Sequence, residues 1–331
     1  MSARTASTIA VLAATAALVL AACGDEDAGG SADAETPSEG ADDALQQVTV
    51  GVQPFAELAP FYIAIEEGLF AEHGIEVEPF PASQGAELIT AMVAGDVPII
   101  YANHFSSLTA VDQGLDVQIF RENDRGESQA LYVLPDSEFQ EPEDFEGASI
   151  AVSGLGNVME MTARAVLEHH GVDLSTVEFV ELPPPNMQAA LEQGQVDAAW
   201  LVEPFISFAS QAGAVPAVSA FEGPTENAPV AGWATTSAYF GESPEVVAGF
   251  AAAIDEAMQI VAEDPEAVAD IIPTYTEMSA EVAASLSPIG YAIESDLSDL
   301  SVVEELLLQY DVIGGSVDLG SLVLDPTTGG E

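Results

Sequence analysis

The chain has 331 residues and carries 56 acidic side chains against four arginines and no lysine, a formal charge of −52. Charge of that sign and size excludes electrostatic recognition of nucleic acid or of an anionic membrane surface. It also opposes compactness by self-repulsion, which ~1 M salt with a Debye length of roughly 3 Å removes; the composition therefore predicts a protein adapted to an external brine.

The amino terminus, residues 1–22, has Arg4 followed by the small and apolar run Ile9–Ala22. That reads as the core of a secretory signal, too short for a membrane span. It ends in Leu20-Ala21-Ala22-Cys23-Gly24, which holds the single cysteine of the chain. One cysteine gives no disulfide framework. The stretch is similar to the lipobox of bacterial lipoproteins, and that resemblance implies cleavage before Cys23, a lipid on Cys23 and attachment to the membrane. Residues 23–46 are acidic and poor in apolar groups, which predicts a disordered tether.

The folded part opens with a strand over 47–52, a loop over 53–59 and a helix from Pro60 with Phe61, Ile65 and Leu69 at helical spacing. Gly68 and Gly74 interrupt it before the alternating Ile75-Glu76-Val77. Strand, helix, strand starts a parallel α/β sheet, and ligands sit at the carboxyl ends of such strands. Gln53 and Phe55, in the first loop, are thus the first candidates for ligand contact. Next come Ser83-Gln84-Gly85, a helix over 86–94, a buried strand over 97–101 ending in Asn103 and His104, a helix over 106–113 and a strand over 117–120.

The second half repeats this grammar: a strand at 149–152, the loop Ser153 to Asn157, a helix ending at His169, a strand at 177–182, a helix at 187–193 and a strand ending at Trp200. One common offset carries Gly95 to Gly194, Val97 to Val196 and Tyr101 to Trp200. This predicts two lobes of one plan: a first lobe over 47–129, a second over 130–232, and a return over 233–331 with packed carboxyl-terminal helices. The crossings are expected at Ala130–Leu134 and Gly232–Thr236. Ser243-Pro244-Glu245 predicts a helix start, and Ser301 with Glu304 fits a capping box.

Two stretches, PFYIAIEEGLFAEHGIEVE at 60–78 and MQAALEQGQVDAAWLVEP at 187–204, resemble the signatures of the periplasmic binding proteins for nitrate, taurine, aliphatic sulfonates and the thiamine pyrimidine precursor. Residues 143–152 resemble the segment entering that family's second lobe, although Glu146 and Ala148 stand where lysines are usual. The likeness covers residues 47 to about 324. It implies a two-lobed periplasmic-binding-protein-like fold of type II, each lobe a mainly parallel sheet flanked by helices. It also implies two crossing segments that serve as a hinge, and a monomer that delivers a small solute to the permease and ATPase of an ABC importer.

The pocket can be drawn from the same residues. Ser83, Gln84 and Gly85, and Ser153, Gly154 and Asn157, each precede a helix, whose free N–H groups and dipole suit an anion. Ser83 and Asn157 have the plainer alternative of capping those helices. Tyr101 and Trp200 end equivalent strands and can sandwich a flat ring or cover an alkyl chain, or else pack in the core. Phe55, Phe105 and Trp233 are weaker candidates of that kind. Asn103, His104 and Glu203 lie just past strand ends, within reach of a ligand; Glu203 has the alternative of pinning the turn at Pro204. Arg121 and Arg125 either hold an anionic ligand or, as the richer local acidity favours, neutralise neighbours such as Glu122, Asp124 and Glu127. Arg164 is expected to pair with Glu160 or Glu168.

The expected solute is a small organic anion of the alkanesulfonate, taurine or nitrate class, with a thiamine-pyrimidine precursor or other flat heterocycle as the alternative. No cofactor and no metal are expected, since the carboxylates show no EF-hand pattern. Enzymes on related scaffolds are the rival class. A pyridoxal-phosphate enzyme needs a Schiff-base lysine that this chain lacks, and a menaquinone-type dehydratase would be cytosolic, against the reading of Cys23. A sensor without an importer stays open.

Overall fold

The computed structural model describes residues 45–127 and 129–328. The expected signal peptide, the lipid site at Cys23 and the expected tether as far as residue 44 lie outside the described residues; Gln46, counted with the tether, instead opens the first strand, paired with Ile75. No helix among the described residues is long and apolar enough to cross a membrane.

Among the described residues ten strands form two five-stranded sheets. In chain order they are β1 (Gln46–Val52), β2 (Ile75–Pro81), β3 (Ile99–Asn103), β4 (Gln118–Arg125), β5 (Ala130–Val133), β6 (Ser149–Val152), β7 (Glu178–Glu181), β8 (Ala198–Leu201), β9 (Val215–Ser219) and β10 (Pro229–Thr235). The first sheet runs β2-β1-β3-β10-β4 and the second β7-β6-β8-β5-β9. β1 pairs in parallel with β2 and β3, while β10 is antiparallel to β3 and β4. The second sheet repeats this, with β6 parallel to β7 and β8, and β5 antiparallel to β8 and β9. In each lobe the fourth place is filled by the strand that has just arrived from the other lobe. It enters from the opposite end, so each sheet is mixed.

The repeated punctuation has a local cause. Gly95 and Gly194 close equivalent helices at Gly85–Ala94 and Pro184–Glu192, with φ of 84° and 65°. A side chain is strained in that left-handed region and glycine is not. On the first lobe the helix Pro244–Glu263 buries Val246, Val247, Phe250, Ile254, Ala257 and Met258, one face of a 3.6-residue period. Phe250 packs against Phe61, Phe70 and Trp233 with ring centres 6.2, 5.0 and 4.9 Å away.

Three expectations need correction. Residues 130–133 are a fully buried strand of the second sheet, not a crossing. The chain passes between lobes in the links from Arg125 to Ala130 and from Ser219 to Pro229, and the first sheet is rejoined at Pro229 rather than at 233. Both stretches read as apolar and extended because they are central strands covered on both faces. Ser301 does not cap a helix: it lies inside Leu300–Gln309, whose preceding residue is Asp299.

The two links run side by side. Gly126 N–H donates to Ala228 O at 3.0 Å, and Ala220 N–H to Gln129 O at 3.0 Å. Phe221 covers Gly126 so closely that a Cβ there would fall 1.9 Å from its ring. Gly126→Ala is therefore expected to destabilise the protein by about 1–3 kcal/mol through overpacking. Combining it with Phe221→Ala should cost less than the sum of the two, as read from denaturation midpoints in a double-mutant cycle.

Candidate functional site

The carboxyl ends of β1, β2 and β3 face those of β6, β7 and β8 across a cavity of about 170 Å³. The first lobe contributes Gln53, Phe55 and Glu57 from the loop after β1, Gln84 and Gly85 after β2, and Tyr101 and Asn103 from β3. Asp124 from β4 and Gln129 from the link between lobes complete that side. The second lobe contributes Ser153, Gly154, Asn157 and Met159 after β6, Glu181 at the end of β7, and Trp200 and Val202 at the end of β8. Val230 and Ala231 of β10 form part of the floor.

The lobes touch around the cavity. Gln84 Nε2 donates to Ser153 O at 3.2 Å. Ala56 N–H donates to Glu203 O at 3.1 Å. The rings of Phe55 and Phe205 meet edge to face at 6.4 Å. Tyr275 and Tyr291 fasten the turn at Ala56–Leu58 from behind, both hydroxyls donating to Ala56 O at 3.2 and 2.9 Å. Asn123 Nδ2 donates to Glu57 O at 2.9 Å, so the backbone is held on both sides of the Glu57 side chain.

The two helix amino termini at the cavity differ. Asn157 caps the helix Val158–His169, its Oδ1 accepting from Met159 N–H at 3.0 Å and Glu160 N–H at 3.2 Å. Its Nδ2 donates to Ser153 Oγ at 2.7 Å. The helix Gly85–Ala94 has no side-chain cap, because the residue before it, Gln84, reaches to the other lobe instead. Of the two helix starts expected to cradle an anion, only the one at Gly85 lacks a side-chain cap.

The acidic wall was not foreseen. Tyr101 Oη donates to Asp124 Oδ1 at 2.7 Å, and Asn123 Nδ2 donates to the same oxygen at 3.1 Å. Gln129 Nε2 donates to Glu57 Oε1 at 3.0 Å. Among the described residues Asp124 Oδ2 and Glu57 Oε2 have no partner, and the two residues are 0% and 2% exposed. Burial pushes Asp124 up to about 7. Burial, and then the neighbouring charge of Asp124, raises Glu57. Loss of water disfavours an unpaired charge in this way.

Trp200 lines the cavity with its ring edge-on to Phe221 at 6.2 Å, its indole N–H donating to Thr162 Oγ1 at 3.0 Å. Five candidates fall elsewhere. Trp233 is fully buried two residues inward of Ala231, against Phe61, and donates Nε1 to Asn123 at 3.2 Å. His104 is also fully buried beneath β10, and burial lowers its imidazole to about 3, so it is neutral. Ser83 is exposed and does not line the cavity. Glu203 turns to Ser207, accepting from its N–H and hydroxyl at 3.1 Å, and so secures the turn at Pro204. Phe105 packs in the core.

The arginines serve the framework. Arg121 is 2% exposed; it pairs with Asp255 at 2.8 Å and donates to the carbonyls of Glu122, Ala292 and Ile293. Arg125 pairs with Glu122 at 3.0 Å and Asp299 at 3.1 Å. Arg164 pairs with Glu160 at 2.6 Å and lies over the ring of Phe179. Among the described residues that line the cavity there is no arginine or histidine.

Two sister α/β lobes with a cavity at their facing strand ends define a periplasmic-binding-protein-like fold. The alkanesulfonate-binding protein of Xanthomonas axonopodis pv. citri, solved with MOPS bound, superposes with a TM-score of 0.72 over 84% of this chain and 98% of that one, at 17% identity. The taurine-binding periplasmic protein of Escherichia coli K12 is 29% identical over 221 residues, 66% of this chain and 68% of the relative. The formylaminopyrimidine-binding protein of Halalkalibacterium halodurans is 25% identical over 169 residues, about half of each chain. Residues 56–268 match the family described as NMT1/THI5 like, and the chain belongs to that family.

Proposed function

We propose that this protein is the solute-binding component of an ABC importer, taking up a small solute of the sulfonate, taurine and nitrate class. The observation that carries the reading is the enclosed cavity where equivalent strand ends of two sister sheets meet. The names of the sequence relatives, a taurine-binding and a formylaminopyrimidine-binding protein, support it. The lobes close about the paired links, the solute leaves unchanged, and a permease and ATPase receive it. Gln53, Phe55, Gln84, Gly85, Tyr101, Asn103, Ser153, Gly154, Asn157 and Trp200 contact the solute in this reading. The protein works as a monomer outside the cell, held by lipid on Cys23 and the acidic tether.

A thermal-shift screen in molar salt with taurine, alkanesulfonates, nitrate and aminopyrimidines tests this. A true ligand at about 100 Kd adds about 2.7 kcal/mol of stability. A screen in which none of these classes raises the melting temperature contradicts the proposal. The salt adaptation has its own test. Far-UV circular dichroism is expected to show helix content lost on dilution from ~1 M salt, where screening fails. A spectrum unchanged down to dilute buffer would remove that part of the account.

A further inference from the structure

We infer that the solute carries a protonated nitrogen, an ammonium or amidinium group, seated between Glu57 and Asp124. This rests on the cavity being the solute site proposed above and goes beyond it in naming the chemistry of one end of the solute. Each carboxylate spends one oxygen on the protein, Asp124 Oδ1 on Tyr101 and Asn123, Glu57 Oε1 on Gln129. Each leaves the other oxygen buried and without a partner among the described residues. A buried carboxylate oxygen without a donor is costly. Both residues line the cavity, so the missing donor can come from the solute. The protein does not supply it: Arg121, Arg125 and Arg164 are all engaged elsewhere. An ammonium or amidinium group brings several N–H donors and the opposite charge at once, which satisfies both oxygens.

The sheet sets the spacing to the other end. Ala231 of β10 pairs with Asn103 on one side and Asp124 on the other. Two strand spacings put those flanking backbones roughly 10 Å apart, with only a methyl group between. Asn103 lies beside the uncapped helix start, its Nδ2 3.8 Å from where a Cβ of Gly85 would be. A short molecule with an acidic group toward Gly85 and an amine toward Asp124 spans that gap. Aminoalkanesulfonates and aminomethylpyrimidines share the required nitrogen; the former also carries the anion.

Isothermal titration in molar salt at about pH 8, above the value of about 7 at which Asp124 ionises, separates the possibilities. The probes are taurine with ethanesulfonate, and an aminomethylpyrimidine with its methyl counterpart. In at least one pair the amine is expected to bind about 100-fold tighter than its partner, and the pair that does so identifies the source. Glu57→Gln and, separately, Asp124→Asn should remove most of that preference while the variants keep the far-UV spectrum of the parent. The pairwise comparison on the parent protein needs neither variant to fold. Ethanesulfonate binding as tightly as taurine, together with the methyl counterpart binding as tightly as the aminomethylpyrimidine, would overturn the inference and leave the importer receptor standing. No binding by any probe at about 10 mM would overturn both.

Discussion

Trp200→Ala is expected to cost about 3–5 kcal/mol of folding stability and to abolish solute binding. The indole is 1% exposed, sits at the end of a central strand and packs edge-on to Phe221, which in turn covers Gly126 in the link between lobes. Truncation leaves a cavity inside the second lobe and takes away one wall of the site. Trp200→Phe keeps most of the volume and loses the 3.0 Å hydrogen bond to Thr162. Because the Thr162 hydroxyl still donates to Val158 O at 2.8 Å, that loss is expected to stay near 1 kcal/mol. Denaturation midpoints in molar salt measure both. An alanine variant as stable as the phenylalanine one would show that the ring does not hold the lobe.

The second large effect is a dependence on pH that belongs to Asp124. In the unfolded chain its carboxyl titrates near its ordinary value of 3.8, and in the folded protein near 7. Between those values the folded state binds more protons than the unfolded one, so stability falls as pH rises. The stabilisation is complete below about 4 and gone above about 7, and its size is on the order of a few kcal/mol. Glu57, Glu122, Tyr101 and Tyr291 surround the group, and the raised Glu57 acts in the same direction. Asp124→Asn is expected to flatten the curve of melting temperature against pH and to make the empty protein more stable than the parent above pH 7. A parent and variant with parallel curves would contradict this. A cationic solute reverses the trend: its stabilising effect grows over the same window as Asp124 ionises.

Much of the architecture was legible because it depends on local chemistry. Gly95 and Gly194 mark helix ends by a conformation that side chains avoid, and the same offset aligns Tyr101 with Trp200 at facing strand ends. The cavity side of the loops after β1, β2 and β6 followed from the rule that ligands lie at carboxyl ends of parallel strands. The acidic wall was missed for a reason of distance. The run Arg121-Glu122-Asn123-Asp124-Arg125 looks like a charged surface turn. It is instead the buried end of β4, its two arginines paired with Asp255 and Asp299 far along the chain. No local signal in the sequence reports such partners. Trp233 was misplaced because position along a strand does not say which of its residues reach the cleft. Val230 and Ala231 line it, while Trp233, further along the strand, packs against Phe61 and Phe250. Gln84 shows the converse limit, since its choice between capping its helix and reaching to Ser153 is made by the opposite lobe.

Equilibrium dialysis in molar salt against an equimolar mixture of taurine, ethanesulfonate, nitrate and an aminomethylpyrimidine tests the central claim most directly. The protein should retain one amine-bearing solute at one per chain, and denaturation should return that solute with its mass unchanged. Retention of none of them, or recovery of a molecule of altered mass, would contradict an account built on closure around a solute that is carried and not converted.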